Sequence, residues 1–206
     1  MDDLEGTRET YDRVAGAYER RHGTGEGARE TGSEVIADLL SAFAELAPAG
    51  SAVLDAGCGP GWEAAALADC GFEVVGLDLV EAVCRRAGRR VPGRVLQGDM
   101  RSLPLAGGAL GGVWACASLL HVPRPAVGAT LAEFRRVLVP GGACSLSVKA
   151  GEGTRTAETY EDDARTVTLF RPAALEAELR RAGFAAVSID RGDGWLRVLA
   201  RAADRP

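Results

Sequence analysis

The run D-A-G-C-G-P-G, from Asp55 to Gly61, directly follows the short apolar stretch Ala52-Val53-Leu54. That stretch shows no alternation, the pattern of a strand buried on both faces of a parallel sheet. Glycines at alternate positions (Gly57, Gly59, Gly61) let a backbone turn sharply and approach a ligand, and Pro60 is placed to start a helix that Trp62 to Cys70 continues. A strand, a glycine turn and a helix N-terminus together aim free backbone N–H groups at a ligand carrying negative charge, so the stretch reads as a nucleotide-cofactor cradle. Asp78 closes the next apolar stretch, Phe72 to Leu77. It stands 19 residues beyond Gly59, close to the ~20-residue separation at which an acid on the neighbouring strand accepts hydrogen bonds from a ribose. Its other reading is a cap for a helix over Val80 to Ala87. His121, one of two histidines, falls just past a fourth strand, GVWACA, and is the candidate base, because imidazole titrates near neutral pH. A structural histidine with satisfied ring nitrogens is the alternative.

Spacing narrows the nucleotide. The dinucleotide fingerprint G-x-G-x-x-G places its third glycine inside the helix, and counting from Gly57 that place holds Trp62. Asp55 points the same way, since a carboxylate would repel a pyrophosphate and welcome an ammonium group; it could equally cap or hydrogen-bond the loop. D-A-G-C-G-P-G resembles the first motif of class I S-adenosylmethionine-dependent methyltransferases, in which this loop wraps the amino-acid end of the cofactor. Three further stretches carry the resemblance. Y-D-R-V-A-G-A-Y resembles the family's lead-in helix, which lays Tyr11 and Tyr18 over cofactor and substrate. Gly98-Asp99-Met100-Arg101 resembles the turn that sets an acid near the adenine amino group and packs the next residue on the ring. L-x-E-F-R-R-V-L-x-P-G-G is the family's packing and turn signature.

The resemblance implies an α/β, doubly wound, mostly parallel seven-stranded sheet with an antiparallel C-terminal strand pair. It implies S-adenosyl-L-methionine as cofactor, S-adenosyl-L-homocysteine as product, and Cys58, Leu79, Arg101, Cys116 and Ala117 beside the cofactor with the residues already named.

The elements that must position these residues follow in order. Thr10 to Arg21 carries Tyr11, Val14, Ala15 and Tyr18 along one helical face, and a second helix runs from a cap at Ser33 to about Leu46. Glycine-rich sequence over 22–32 separates them. After the cradle come a third strand, Arg94 to Gln97, a helix over Pro125 to Leu138, a turn at Val139 to Gly142 and a fifth strand, Cys144 to Val148. Lys149 to Thr168 is polar, with little apolar periodicity, and follows a strand whose carboxyl end faces the expected ligand crevice. It reads as a substrate lid with Glu152, Arg155, Tyr160 and Arg165 as contacts. A helix from Pro172 to Ala182, a stop at Gly183, and the strands Phe184 to Asp190 and Trp195 to Ala200 complete the chain. The expected organisation is one domain over 1–206, with 1–50 a helical lid and 51–206 the cofactor-binding core.

Composition limits the function. At 206 residues and 47% hydrophobic residues the chain suits one globular domain. Its charge of −5 and its single lysine, Lys149, lack the basic footprint of a nucleic-acid binder. The cluster Arg85, Arg86, Arg89, Arg90 and Arg94 reads as a solvated helix end, with a phosphate patch as the other reading. The signatures of amino-methylating nucleic-acid enzymes, cytosine-carbon methylases and ribose methylases are missing. Five scattered cysteines suit reduced thiols and give no metal-ligand spacing. With no leader-like or membrane-length apolar run, the expectation is a cytoplasmic monomer or homodimer acting on a small molecule. The chemistry expected is methyl transfer to an O, N or C nucleophile. A catalytically silent cofactor-binding module and a nicotinamide-dependent oxidoreductase are the alternatives.

Overall fold

The computed structural model describes residues 4–23 and 33–204; the glycine-rich stretch 24–32 and the Ser33 side chain lie outside the described part. Two helices, α1 (Glu5–Gly23) and α2 (Ser33–Leu46), precede an alternation of strands and helices: β1 (Ala52–Ala56), α3 (Trp62–Asp69), β2 (Glu73–Asp78), α4 (Glu81–Ala87), β3 (Val95–Gln97), β4 (Leu110–Cys116), α5 (Val127–Val137) and β5 (Leu138–Lys149). The chain ends with β6 (Thr154–Thr156), β7 (Thr166–Thr168), α6 (Pro172–Arg181), β8 (Phe184–Gly192) and β9 (Trp195–Ala202).

Seven strands form one sheet in the order β3-β2-β1-β4-β5-β9-β8, parallel from β3 to β5 and antiparallel at β9 and β8. This is the expected doubly wound sheet. Adjacent residues of one strand feed opposite layers, as the pleat requires. Leu54 and Val113 join a core with Leu131, Phe134, Leu175 and Leu179 of α5 and α6. Val53 and Trp114 join a second core with Phe43 of α2 and Leu67 of α3. The strand order reverses between β1 and β4, the switch point at which the carboxyl ends of neighbouring strands diverge and open a crevice.

Three local expectations are corrected. Pro60 does not start a helix: Gly61 sits in the left-handed region at φ +90° and α3 begins at Trp62. The helix expected from Pro125 begins with a short 3-10 turn, Arg124–Ala126, and α5 proper starts at Val127. The stretch 149–168 contains a hairpin, β6 pairing antiparallel with β7, so it is not irregular throughout. Among the described residues no helix is long and apolar enough to cross a membrane.

Candidate functional site

The turn after β1 is held by the neighbouring strand. Gly57 and Cys58 N–H groups donate to the Leu77 carbonyl at 2.7 and 3.0 Å, which bends the chain back over the end of β2. Gly57 adopts φ +79°, and a Cβ there would lie 2.4 Å from Ser118 Cβ, so only glycine fits between the turn and the end of β4. Asp78 accepts from the Gly59 N–H (3.1 Å) and the Val80 N–H (3.0 Å). It thus ties the glycine turn to the segment that leads into α4, whose N-cap, Val80, has no side-chain cap hydrogen bond. Burial raises the Asp78 carboxyl above the usual carboxylate range against the lowering effect of these bonds.

Two cavities open at this switch point. The narrower, about 100 Å³, is lined by Tyr11, Tyr18, Gly57, Gly59, Asp78, Leu79, Asp99, Met100, Cys116, Ala117 and His121. Leu4 and Thr7 of the N-terminal segment close it, and it is smaller than the ~300 Å³ at which small-molecule sites begin. The wider, about 700 Å³, shares Tyr11, Tyr18, Gly57, Gly59, Cys116, Ala117 and His121, and adds Cys58, Arg155, Tyr160 and Arg165.

Four expected residues are not brought to either wall. Asp55 is buried, its carboxyl within reach of the Ala64 backbone and pushed well above the usual range, first by burial and then by the charges of Glu63 and Asp78. One of its oxygens, Oδ2, has no hydrogen-bond partner among the described residues. Gly61 turns toward α4, where a Cβ would lie 3.1 Å from Ala87 Cα. Arg101 folds back on Asp99 at 2.6 Å. Glu152 pairs with Arg171 on the exposed surface, its carboxylate drawn away from the crevice.

His121 lies in a chain of polar contacts. Its Nδ1 is 3.1 Å from the Thr166 carbonyl, which can only accept, so Nδ1 carries the proton; Nε2, 3.0 Å away, accepts from the Tyr11 hydroxyl. Arg165 donates to that hydroxyl at 2.9 Å and is held by Asp163 at 2.6 Å. Burial lowers the His121 pKa to about 4, and burial raises that of Tyr11 to about 12. Both groups are neutral at pH 7, and both nitrogens of His121 are engaged. Burial also raises the Cys116 thiol, which accepts from Ser147 Oγ at 3.3 Å and stays protonated.

Residues 53–142 match the family model described as a methyltransferase domain. An uncharacterized methyltransferase from Mycobacterium sp. (strain KMS) is 38% identical over 115 residues, 55% of this chain and 44% of that one. The malonyl-[acyl-carrier protein] O-methyltransferase of Pseudescherichia vulneris is 34% identical over 113 residues, 54% of this chain and 43% of that one. The chain therefore spans less than half the length of these curated relatives. A structure of a DhpI–SAH complex superposes with a TM-score of 0.76 at 23% identity, covering 98% of each chain. Over residues 53–142 the chain is thus similar to methyltransferase domains, and it shares the fold of the DhpI–SAH structure. The [4+2]-cyclase SpnF has the same fold, with a TM-score of 0.74 at 20% identity over 96% of this chain and 95% of its own, so the fold alone does not fix the reaction.

The residues of this site fit S-adenosylmethionine. Asp55 is buried and Glu63 and Asp78 are half-buried, and the loss of solvent raises all three carboxyls. Such a set repels a pyrophosphate and suits a ligand that carries an ammonium and a sulfonium. Glu63 is the acid that reaches the wider cavity where Asp55 does not, and sequence reasoning missed it. Its signal was its place in the first turn of α3, where the helix dipole favours a carboxylate. Ser118, also missed, donates to the Ala56 carbonyl at 2.6 Å and pins the end of β4 to β1. No local pattern marks it, because its role depends on a strand 62 residues earlier.

Proposed function

We propose that this chain transfers a methyl group from S-adenosylmethionine to an O, N or C nucleophile of a small-molecule acceptor. The observation that carries the reading is that two cavities of different chemistry meet along one shared wall, Gly57, Gly59, Cys116 and Ala117 with Tyr11, Tyr18 and His121. Bound in the cradle, S-adenosylmethionine supplies a methyl group already activated for displacement. Asp78 is suited to the ribose, Asp99 and Met100 to the adenine, and Glu63, which reaches the cavity where Asp55 does not, to the cationic end. The chain's own contribution is to align the reactants and exclude water, which is worth up to ~7–11 kcal/mol of barrier.

His121 is assigned to fixing Tyr11 and thereby the roof of the site. With both nitrogens engaged and its charged form disfavoured by burial, it is a poor proton acceptor. The residues before β1 serve as a lid within a single domain: α1 roofs a cavity too narrow for a nucleoside, so it must lift for the cofactor to enter. The acidic net charge, the single lysine and a ubiquinone biosynthesis O-methyltransferase among the relatives support a small acceptor over a nucleic acid.

Incubation with methyl-labelled S-adenosylmethionine and a metabolite extract tests the reading. Label should appear in a small molecule. Tight binding of S-adenosylhomocysteine with no transfer to any acceptor would indicate a silent module, and preferential binding of NAD would overturn the cofactor assignment.

A further inference from the structure

The wider cavity carries two cations that alignment of a methyl donor does not use. Lys149, the only lysine of the chain, ends β5, and Arg155 is the middle residue of β6; both line the cavity. Lys149 Nζ lies 3.8 Å from the centroid of the Trp195 ring, so the ammonium is held against an apolar wall. Among the described residues neither cation has an ion-pair partner, whereas the third cation of the cavity, Arg165, is neutralised by Asp163 at 2.6 Å. Burial, and after it the positive charge of Arg155, lowers the Lys149 pKa. The cavity also presents Glu63, on α3, and Glu158, between β6 and β7, but neither acts on Lys149 as strongly as burial and Arg155 do. Two unpaired like charges beside one cavity repel each other, and a bound anion would turn that repulsion into attraction.

We infer that the methyl acceptor is an organic oxyacid anion, bound with its carboxylate or phosphate between Lys149 and Arg155 and its apolar body along Trp195, Trp62 and Val167. This rests on the reading of the wider cavity as the acceptor site. Guanidinium and ammonium donors both match an oxyanion, and hydrogen bonds to charged groups are the stronger ones. In a chain of net charge −5 such a positive corner selects its ligand against the surrounding field.

Calorimetry on the protein saturated with S-adenosylhomocysteine tests the inference, with 3-phenylpropionate, phenyl phosphate and neutral 3-phenylpropionamide as probes. At least one anion should bind roughly tenfold or more tighter than the amide, the yield of one charge-assisted hydrogen bond. The better of the two anions identifies the oxyacid. In the K149Q/R155Q variant the preference should vanish while S-adenosylhomocysteine affinity is kept. A second measurement needs no variant: 15N-lysine labelling gives one lysine side-chain signal, whose titration midpoint should rise when the anion is added. The inference is overturned if the amide binds as well as both anions, if neither anion binds, if the preference survives in the variant, or if the midpoint does not move. Loss of S-adenosylhomocysteine affinity in the variant would give the two cations to the cofactor instead. A wild-type protein that does not bind S-adenosylhomocysteine would bring down the methyl-transfer reading, and this inference with it.

Discussion

Lowering the pH from 7 to 5 should destabilise the protein through His121, and replacing His121 with glutamine should remove that share of the loss. In the folded chain Nδ1 donates to the Thr166 carbonyl and Nε2 accepts from Tyr11, so a second proton would break the Tyr11 contact beside the Arg165 guanidinium. Burial is the main cause of a pKa lowered from 6.5 to about 4. Between those values the unfolded chain binds the proton and the folded chain does not, so stability falls as pH falls through the window. Applied from pH 7 to 5, this linkage gives a loss of about 2 kcal/mol from His121 alone. Asp55, Glu63 and Asp78 act in the opposite sense, because their raised carboxyls favour the folded state at low pH. Asp163, lowered by Arg165, loses its contribution only as pH falls past the ordinary carboxylate value of 3.8, below the window. All four are common to both proteins and cancel in the comparison. Urea unfolding of wild type and His121→Gln at pH 7 and pH 5 reads the difference. Equal losses in the two proteins would refute a histidine kept neutral by burial.

Asp78→Ala should weaken S-adenosylhomocysteine binding by ~1.5–3 kcal/mol, the range for hydrogen bonds to a charged group, and calorimetry that finds unchanged affinity would remove the ribose assignment. Gly57→Ala should nearly abolish binding, because its Cβ would fall 2.4 Å from Ser118 Cβ; adding Ser118→Gly should restore part of it, leaving the ~1–2 kcal/mol cost of a left-handed residue. Cofactor binding should release protons, since a cation lowers the raised carboxyls of Glu63 and Asp78; titration in buffers of different ionisation enthalpy measures it. Hydrogen exchange in α1 and in 149–168 should slow together when cofactor and acceptor bind, and a segment already fully protected without ligand would not be acting as a lid.

The parts legible in the sequence are those whose physics is local. The glycine turn and Asp78 end the largely buried strands β1 and β2, and the Gly98-Asp99 turn follows the edge strand β3, so their types and spacing place them at the carboxyl ends of one sheet. What was missed depends on contacts between distant segments. β6 is exposed at all three residues and has no apolar face, so nothing in its own sequence marks it as a strand. It exists because β7 pairs with it while Val167 packs into the core. β5 begins at Leu138 and runs through the expected turn at Pro140-Gly141, because it follows β4 across a register shift between Leu110 and Gly112. The arginine cluster is not wholly solvated: Arg86 and Arg90 reach Glu19 of α1 at 3.2 and 3.0 Å. Asp55 and Glu63 exchange the expected role at the cavity, since the turn directs the first beneath the loop and α3 carries the second to its face.

Tyr11 joins the two halves of the site. From α1 it meets His121 at the end of β4 and Arg165 of the polar insertion, and its neighbours extend the contact: Arg13 donates to the Glu161 and Asp162 carbonyls, and Thr10 accepts from the Ala164 N–H. Elsewhere α1 is held lightly. Its buried apolar contact with α4 is the small cluster of Ala15, Val80 and Val83, and the half-exposed pairs to Glu19 contribute at most ~1 kcal/mol each. A segment with few buried apolar contacts is the one that opens first. Lifting α1 would take Tyr11 from the walls of the narrower and the wider cavity at once. Arg165 would keep Asp163 but lose Tyr11, and the insertion would loosen with the helix. Whichever ligand closes α1 therefore bears the cost of ordering both segments, and the second ligand meets a site already formed. Cofactor and acceptor should accordingly bind with positive coupling, although no residue other than the shared wall touches both cavities.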